Sequence, residues 1–135
     1  MKVGVPKEVR NNERRVALVP DSVSKLTAAG VEVIVQAGAG EAVYFFDDAY
    51  VAAGATIAPD VQSLFESVDV IVKVQRPTFD EKHAQPEIAM MSSGTVLIGL
   101  LQPLFNPDLV RELAKRSIIG FSMDAIPRIA RAQSM

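Results

Sequence analysis

An open, doubly wound α/β sheet is the fold class that this sequence predicts, and two observations predict it. Short β-branched apolar runs alternate with amphipathic stretches along the whole chain, which is the pattern of βα units around a parallel sheet. Helix-start and helix-stop residues sit at the junctions: Pro20-Asp21, Gly30, Gly54, Asp60 and Asn106-Pro107. At 135 residues, 49% of them hydrophobic and 22% charged, the chain has the size and composition of one globular domain able to bury most of its apolar surface.

Taken in order, "KVGV" opens as a strand. "PDSVSKLTAAG" is a helix begun by Pro20 and Asp21, with Val23, Leu26 and Ala29 spaced by three and Gly30 as its stop. "VEVIVQAG" is the second strand, "DDAYVAAGA" a short helix closed by Gly54, and "TIA" a brief third strand. "DVQSLFESV" is a helix capped by Asp60, and "DVIVKV" returns to the sheet. Residues 76–93 carry Pro77 and Pro86 and show no regular period; "TVLIGLL" after them is a strongly apolar strand. "NPDLVRELAKRS" places Asn106 as N-cap and Pro107 as first helical residue, and "IIGFSM" is the last strand. The count is five or six strands with helices on both faces, a Rossmann- or flavodoxin-like sheet. In such sheets ligands gather beyond the carboxyl ends of the strands, where strand order reverses.

Composition narrows the functional classes. A net charge of −2, with Arg111, Lys115, Arg116, Arg128 and Arg131 spread over the last quarter, lacks the clustered basic surface that a nucleic acid partner requires. With no cysteine, disulfides, thiolate nucleophiles and cysteine-ligated metal sites are excluded from this chain, and a reducing cytoplasm fits. No apolar run reaches the roughly 20 residues of a membrane-spanning helix, and "MKVGVPKEVR" has no signal-peptide core.

Three places after strands carry candidate chemistry. "PKEVRNNERRVALVP" offers Lys7, Arg10, Arg14 and Arg15 among Glu8 and Glu13, either a solvated charged loop or an anion site. Lys73 lies inside "DVIVKV" and must reach water, a carboxylate or a bound anion, or else face solvent from an edge strand. "QAGAGEA" begins like a dinucleotide fingerprint, but the third glycine of G-x-G-x-x-G would fall at Val43, so it reads as a turn. His83, in the polar "FDEKHAQP", reads as a solvated histidine. "PRIARAQSM" follows the last strand with two guanidiniums and a side-chain amide, either a functional loop or a frayed terminal helix.

"GVPKE", "NERRVALVP", "LTAAGVEVIVQAGAG", "YVAAGATI", "DVIVKVQRP" and "MDAIPRIARAQSM", in that order from Met1 to the end, resemble the N-terminal part of the alanine dehydrogenase and pyridine nucleotide transhydrogenase superfamily. Within it, alanine dehydrogenases are expected to carry a catalytic histidine just after the "TVLIGLL" strand, where this sequence has Leu101 followed by Gln102. "PRIARAQS" resembles instead the loop by which the NAD(H)-binding component of proton-translocating transhydrogenase holds the nicotinamide ring. That resemblance implies a cofactor-binding set of Arg128, Ile129, Ala130, Arg131, Gln133, Ser134 and Met135, with no catalytic side chain and no metal.

The resemblance further implies hydride transfer between NAD(H) and NADP(H) coupled to proton translocation. NADP(H) would be held on a partner component, and a membrane component would be a second partner. A homodimer is implied as well, on the cytoplasmic side of a bacterial inner membrane. It implies too that residues 1–135 are one half of a cleft, with a Rossmann domain to follow. The alternatives are an alanine dehydrogenase N-terminal domain and a non-catalytic module of the same fold. Arg15 and Lys73 match positions that grip a substrate carboxylate in alanine dehydrogenases, and are expected here as a retained structural or loop-anchoring pair.

Overall fold

The computed structural model describes residues 1–80 and 85–125. Eight strands are formed by these residues: β1 (Lys2–Val5), β2 (Glu32–Gln36), β3 (Thr56–Ala58), β4 (Val70–Gln75), β5 (Phe79–Asp80), β6 (Gln85–Pro86), β7 (Val96–Leu100) and β8 (Ile119–Ser122). Six of them make the central sheet, in the order β3-β2-β1-β4-β7-β8 with every pairing parallel. This is the six-strand version of the expected doubly wound sheet, in the Rossmann strand order. The order reverses between β1 and β4, so the carboxyl ends of those two strands mark the ligand crevice of such folds.

The helices form where the punctuation residues place them. Helix α1 (Pro20–Ala28) starts on Pro20, whose fixed φ suits a first helical turn and whose missing N–H costs nothing there; Gly30 ends it at φ +88°. Helix α2 (Asp47–Ala52) is closed by Gly54 at φ +100°. Helix α3 (Val61–Ser67) is capped by Asp60, whose carboxylate accepts from the Ser63 N–H at 2.7 Å. Helix α4 (Pro107–Lys115) also begins as expected, but Asn106 does not cap it. Its Nδ2 instead donates backward to the carbonyls of Leu101 (3.3 Å) and Gln102 (2.9 Å), holding the loop after β7. The asparagine serves the strand exit, not the helix entry.

Two cores lie on the two faces of the sheet. Val5, Val33 and Val35 pack with Val23 of α1 and Tyr50 of α2. On the other face Ile34, Ile71 and Leu97 pack with Leu64 and Phe65 of α3 and Leu113 of α4. Each fully buried aliphatic or aromatic side chain stabilises by about 1.5–3 kcal/mol relative to exposure.

Among the described residues, the first face is covered only over β1, β2 and β3. On β4 and β7 the residues that alternate with the buried Ile71 and Leu97 (Val70, Val72, Val96, Ile98) are half-buried, and in register with them Ile119 and Phe121 of β8 are 55% and 58% exposed.

Residues 76–93 proved more ordered than their composition predicts. Strands β5 and β6 form a two-stranded antiparallel ribbon, and Glu87–Met90 makes one 3₁₀ turn. Pro86 sits on this ribbon's second strand, where a residue without an N–H is tolerated at an edge.

Candidate functional site

The carboxyl ends of β1 and β4 meet in a cluster of buried charge. Strand alternation aims the Lys73 side chain into the α3 face of the sheet, among apolar residues, and an ammonium there needs counter-charges. Two are supplied. Lys73 Nζ lies 3.3 Å from Glu8 Oε1 and 3.0 Å from Glu87 Oε2, and all three side chains are no more than 2% exposed. The edge-strand reading of Lys73 is thereby corrected: β4 is an interior strand, paired with β1 on one side and β7 on the other. Close packing at this point is tight enough that a Cβ on Gly99 of β7 would stand 2.9 Å from the Lys73 carbonyl oxygen.

Glu8 does more than balance charge. Its carboxylate accepts from the backbone N–H groups of Val74 (3.1 Å) and Gln75 (2.9 Å), donors that β4 frees where its register with β7 shifts. The segment leaving β1 is thus fastened to the end of β4. A second fastening lies outside the first: Gln75 Nε2 donates to Glu13 Oε1 at 2.7 Å, and Arg15 grips the same carboxylate through Nε (3.0 Å) and Nη2 (2.8 Å). The Arg15 guanidinium holds the Glu13 carboxyl down to about 2, so the pair stays charged except in strong acid. Arg15 is itself 61% exposed, and its stabilising effect is correspondingly modest.

Arg15 and Lys73 therefore do not form one anion clamp. Each is bound to glutamate, and both act to anchor the loop after β1 to β4. A cavity of about 300 Å³ opens above this loop, lined by Lys7, Glu13, Arg14, Arg15, Gly38 and Glu41 among others. The "QAGAG" stretch forms its far wall as a turn running into the 3₁₀ segment Glu41–Val43, as expected in place of a phosphate loop. Gly40 is there for space: a Cβ would stand 2.6 Å from the Phe45 carbonyl oxygen and 2.8 Å from the Tyr50 hydroxyl.

Beyond β7, on the same side of the sheet, Gln102 takes a left-handed conformation at φ +48°, unusual for a residue with a side chain. Its Oε1 accepts from Arg76 Nη1 at 3.2 Å. Leu104 and Phe105 stand beside it almost fully exposed (91% and 84%). Where an acid-base histidine would titrate near neutrality, this position offers a neutral amide and moves no proton.

Of the residues expected from sequence to bind a cofactor, Arg128, Ile129, Ala130, Arg131, Gln133, Ser134 and Met135 lie outside the described residues, as does His83. Among the described residues no group of histidine, cysteine and carboxylate side chains could hold a metal ion, and no helix is long and apolar enough to cross a membrane. Sequence reasoning missed Glu87 entirely and read Glu8 as belonging to a charged loop. The signal was Lys73 itself, a lysine inside an apolar strand that required carboxylates somewhere.

Comparison with known proteins agrees with this geometry. The model of the family "Alanine dehydrogenase/PNT, N-terminal domain" matches residues 4–135. The first of the separately encoded pieces of the NAD(P) transhydrogenase alpha subunit of Rhodospirillum rubrum is 46% identical over 135 residues, which is 100% of this chain and 35% of that protein. A crystal structure of transhydrogenase from Sinorhizobium meliloti superposes with a TM-score of 0.89 at 37% identity, over 100% of this chain and 38% of that one. An L-alanine dehydrogenase structure superposes with a TM-score of 0.81 at 32% identity, over 90% of this chain and 32% of the other. The chain thus spans about a third of the length of the relatives it matches. With the Rossmann strand order, both faces built as expected and a family model matched over nearly its whole length, the chain belongs to the alanine dehydrogenase/PNT N-terminal domain family.

Proposed function

We propose that residues 1–135 are the first domain of the NAD(H)-binding component of a proton-translocating NAD(P) transhydrogenase, and that a Rossmann dinucleotide-binding domain follows them in the complete protein. The observation that carries the choice within the family is Gln102. At the exit of β7, where an alanine dehydrogenase would need an acid-base group, its amide is tied to Arg76. The likeness to the Rhodospirillum rubrum subunit supports the same choice. The uncovered apolar face of β4, β7 and β8 supports a larger protein, because a parallel sheet is ordinarily covered on both faces.

In this reading bound nicotinamides supply the redox chemistry, a hydride passing between NAD(H) here and NADP(H) on a partner component. What this chain contributes is orientation and exclusion of water. Gln133 donates and accepts through its amide toward a nicotinamide carboxamide, and Arg128 supplies directed donors to the same region or to nearby phosphate and ribose oxygens. Ile129, Ala130, Arg131, Ser134 and Met135 complete the cradle.

The anchored loop after β1 and the exit of β7 form the wall opposite the other half of the cleft. The complete component works as a homodimer with its NADP(H)-binding and membrane partners, on the cytoplasmic side of a bacterial inner membrane. An alanine dehydrogenase is the second reading, favoured by the superposition on L-alanine dehydrogenase. It is weakened by the burial of Lys73 and the capture of Arg15 by Glu13, which leave neither cation free for a substrate carboxylate.

NADH fluorescence titration tests the two-domain cleft. The 135-residue chain is expected to bind NADH weakly or not at all, because it lacks a pyrophosphate site at a glycine-rich helix start. The complete component should bind it. Binding by the 135-residue chain at about 1 μM, roughly −8 kcal/mol, would remove the need for a second domain.

A further inference from the structure

The Glu8–Lys73–Glu87 cluster holds two carboxylates and one ammonium, all buried. One negative charge is therefore in excess, in a place that water does not reach, and buried groups in that position neutralise rather than stay charged. The hydrogen bonds differ between the two acids. Glu8 accepts two backbone N–H donors besides Lys73, an arrangement that favours the ionised form. Glu87 accepts one, from Thr78 N–H to Oε1 at 2.9 Å. Its Oε2 lies within ion-pair distance of Lys73 but outside hydrogen-bond geometry, and has no hydrogen-bond partner among the described residues.

We propose that Glu87 carries a proton at neutral pH, and that the neutral cluster is a proton-dependent latch joining the loop after β1 to the connection between β4 and β7. Glu87 is the arm on that connection: its carboxyl takes the Thr78 N–H while its own N–H donates to the Thr78 carbonyl at 2.8 Å. Glu8 is the arm on the loop that walls the 300 Å³ cavity. The charged groups whose fields reach Glu87 are Lys73 on β4, which favours ionisation, and Glu8 beyond it, which opposes ionisation; burial, the largest influence, raises its pKa above the ordinary glutamate value.

The sign of the pH dependence follows. A carboxyl raised in the folded state contributes stability that is complete below the ordinary glutamate pKa and is lost as pH rises through the raised folded value. Loss of the proton leaves two anions on one lysine, so the two arms separate and the cavity wall loosens with rising pH.

Glu87→Gln, Glu8→Gln and wild type, each as the intact natural protein, separate the possibilities. Infrared difference spectra with ¹³C-labelled glutamate should show a protonated buried carboxyl at pH 7 in wild type and none in Glu87→Gln. Glutamine mimics the protonated acid, so Glu87→Gln should fold and lose less Tm than wild type between pH 7 and pH 9, whereas Glu8→Gln should lower Tm at both. A wild-type spectrum without the protonated band would overturn the latch. So would a Glu87→Gln protein that fails to fold, or one that is destabilised as much as Glu8→Gln.

Discussion

Lys73→Met is expected to destabilise the protein by about 3–5 kcal/mol, the scale on which a buried ion pair is broken by removing one partner. Methionine matches much of the lysine stem and keeps the apolar packing under β4, so the loss isolates the ammonium. Glu8 is then left as a buried carboxylate held only by the Val74 and Gln75 amides, and the tie from Glu87 to β4 disappears. Against a total stability of roughly 5–15 kcal/mol, that is enough to unfold a marginal domain. Urea denaturation of the paired proteins measures it. A loss below about 1 kcal/mol would mean that the cluster is hydrated in solution and behaves like a surface pair.

The second large effect lies in catalysis. Arg128→Ala or Gln133→Asn in the complete transhydrogenase is expected to lower hydride transfer by about 10-fold to 10²-fold, because a reacting ring displaced by about an ångström loses on that order. Interactions that orient the ring are felt chiefly in the transition state, so kcat and kcat/KM should fall together while NADH affinity changes less. Stopped-flow hydride transfer and equilibrium binding on the same variants decide it. Equal losses in rate and binding would make "PRIARAQS" a generic affinity loop.

Much of the fold was legible because its determinants are local. Pro20, Gly30, Gly54 and Pro107 fix helix ends through backbone constraints that need no tertiary partner, and each stands where expected. "QAGAG" was legible as a turn for the same reason, since Val43 breaks the fingerprint in sequence. What was not legible depended on distant partners. Asn106 has the residue type and position of an N-cap, yet the carbonyls of Leu101 and Gln102 compete for its amide once β7 brings them near. The β5–β6 ribbon is two residues on each side, too short for a period-2 pattern to register.

At the site, Lys73 announced that it needed carboxylates, but the chain has 16 acidic residues and their spacing does not say which. Glu8 lies 65 positions away and is chosen by the β1–β4 pairing; Glu87 is chosen by the 3₁₀ turn that returns the chain beneath the sheet. Gln102 was the reverse case: one residue in a recognisable strand exit, readable from sequence, with only its left-handed backbone and its tie to Arg76 added by the structure.

The choice between the two chemistries of this family is tested most directly by giving the complete protein both substrates in parallel. Assembled with its NADP(H)-binding partner, it should transfer hydride from NADPH to an NAD⁺ analogue, and with NAD⁺ and L-alanine alone it should form no NADH above background. NAD⁺ reduction that depends on alanine, with no transfer between the two nucleotides, would contradict the transhydrogenase reading.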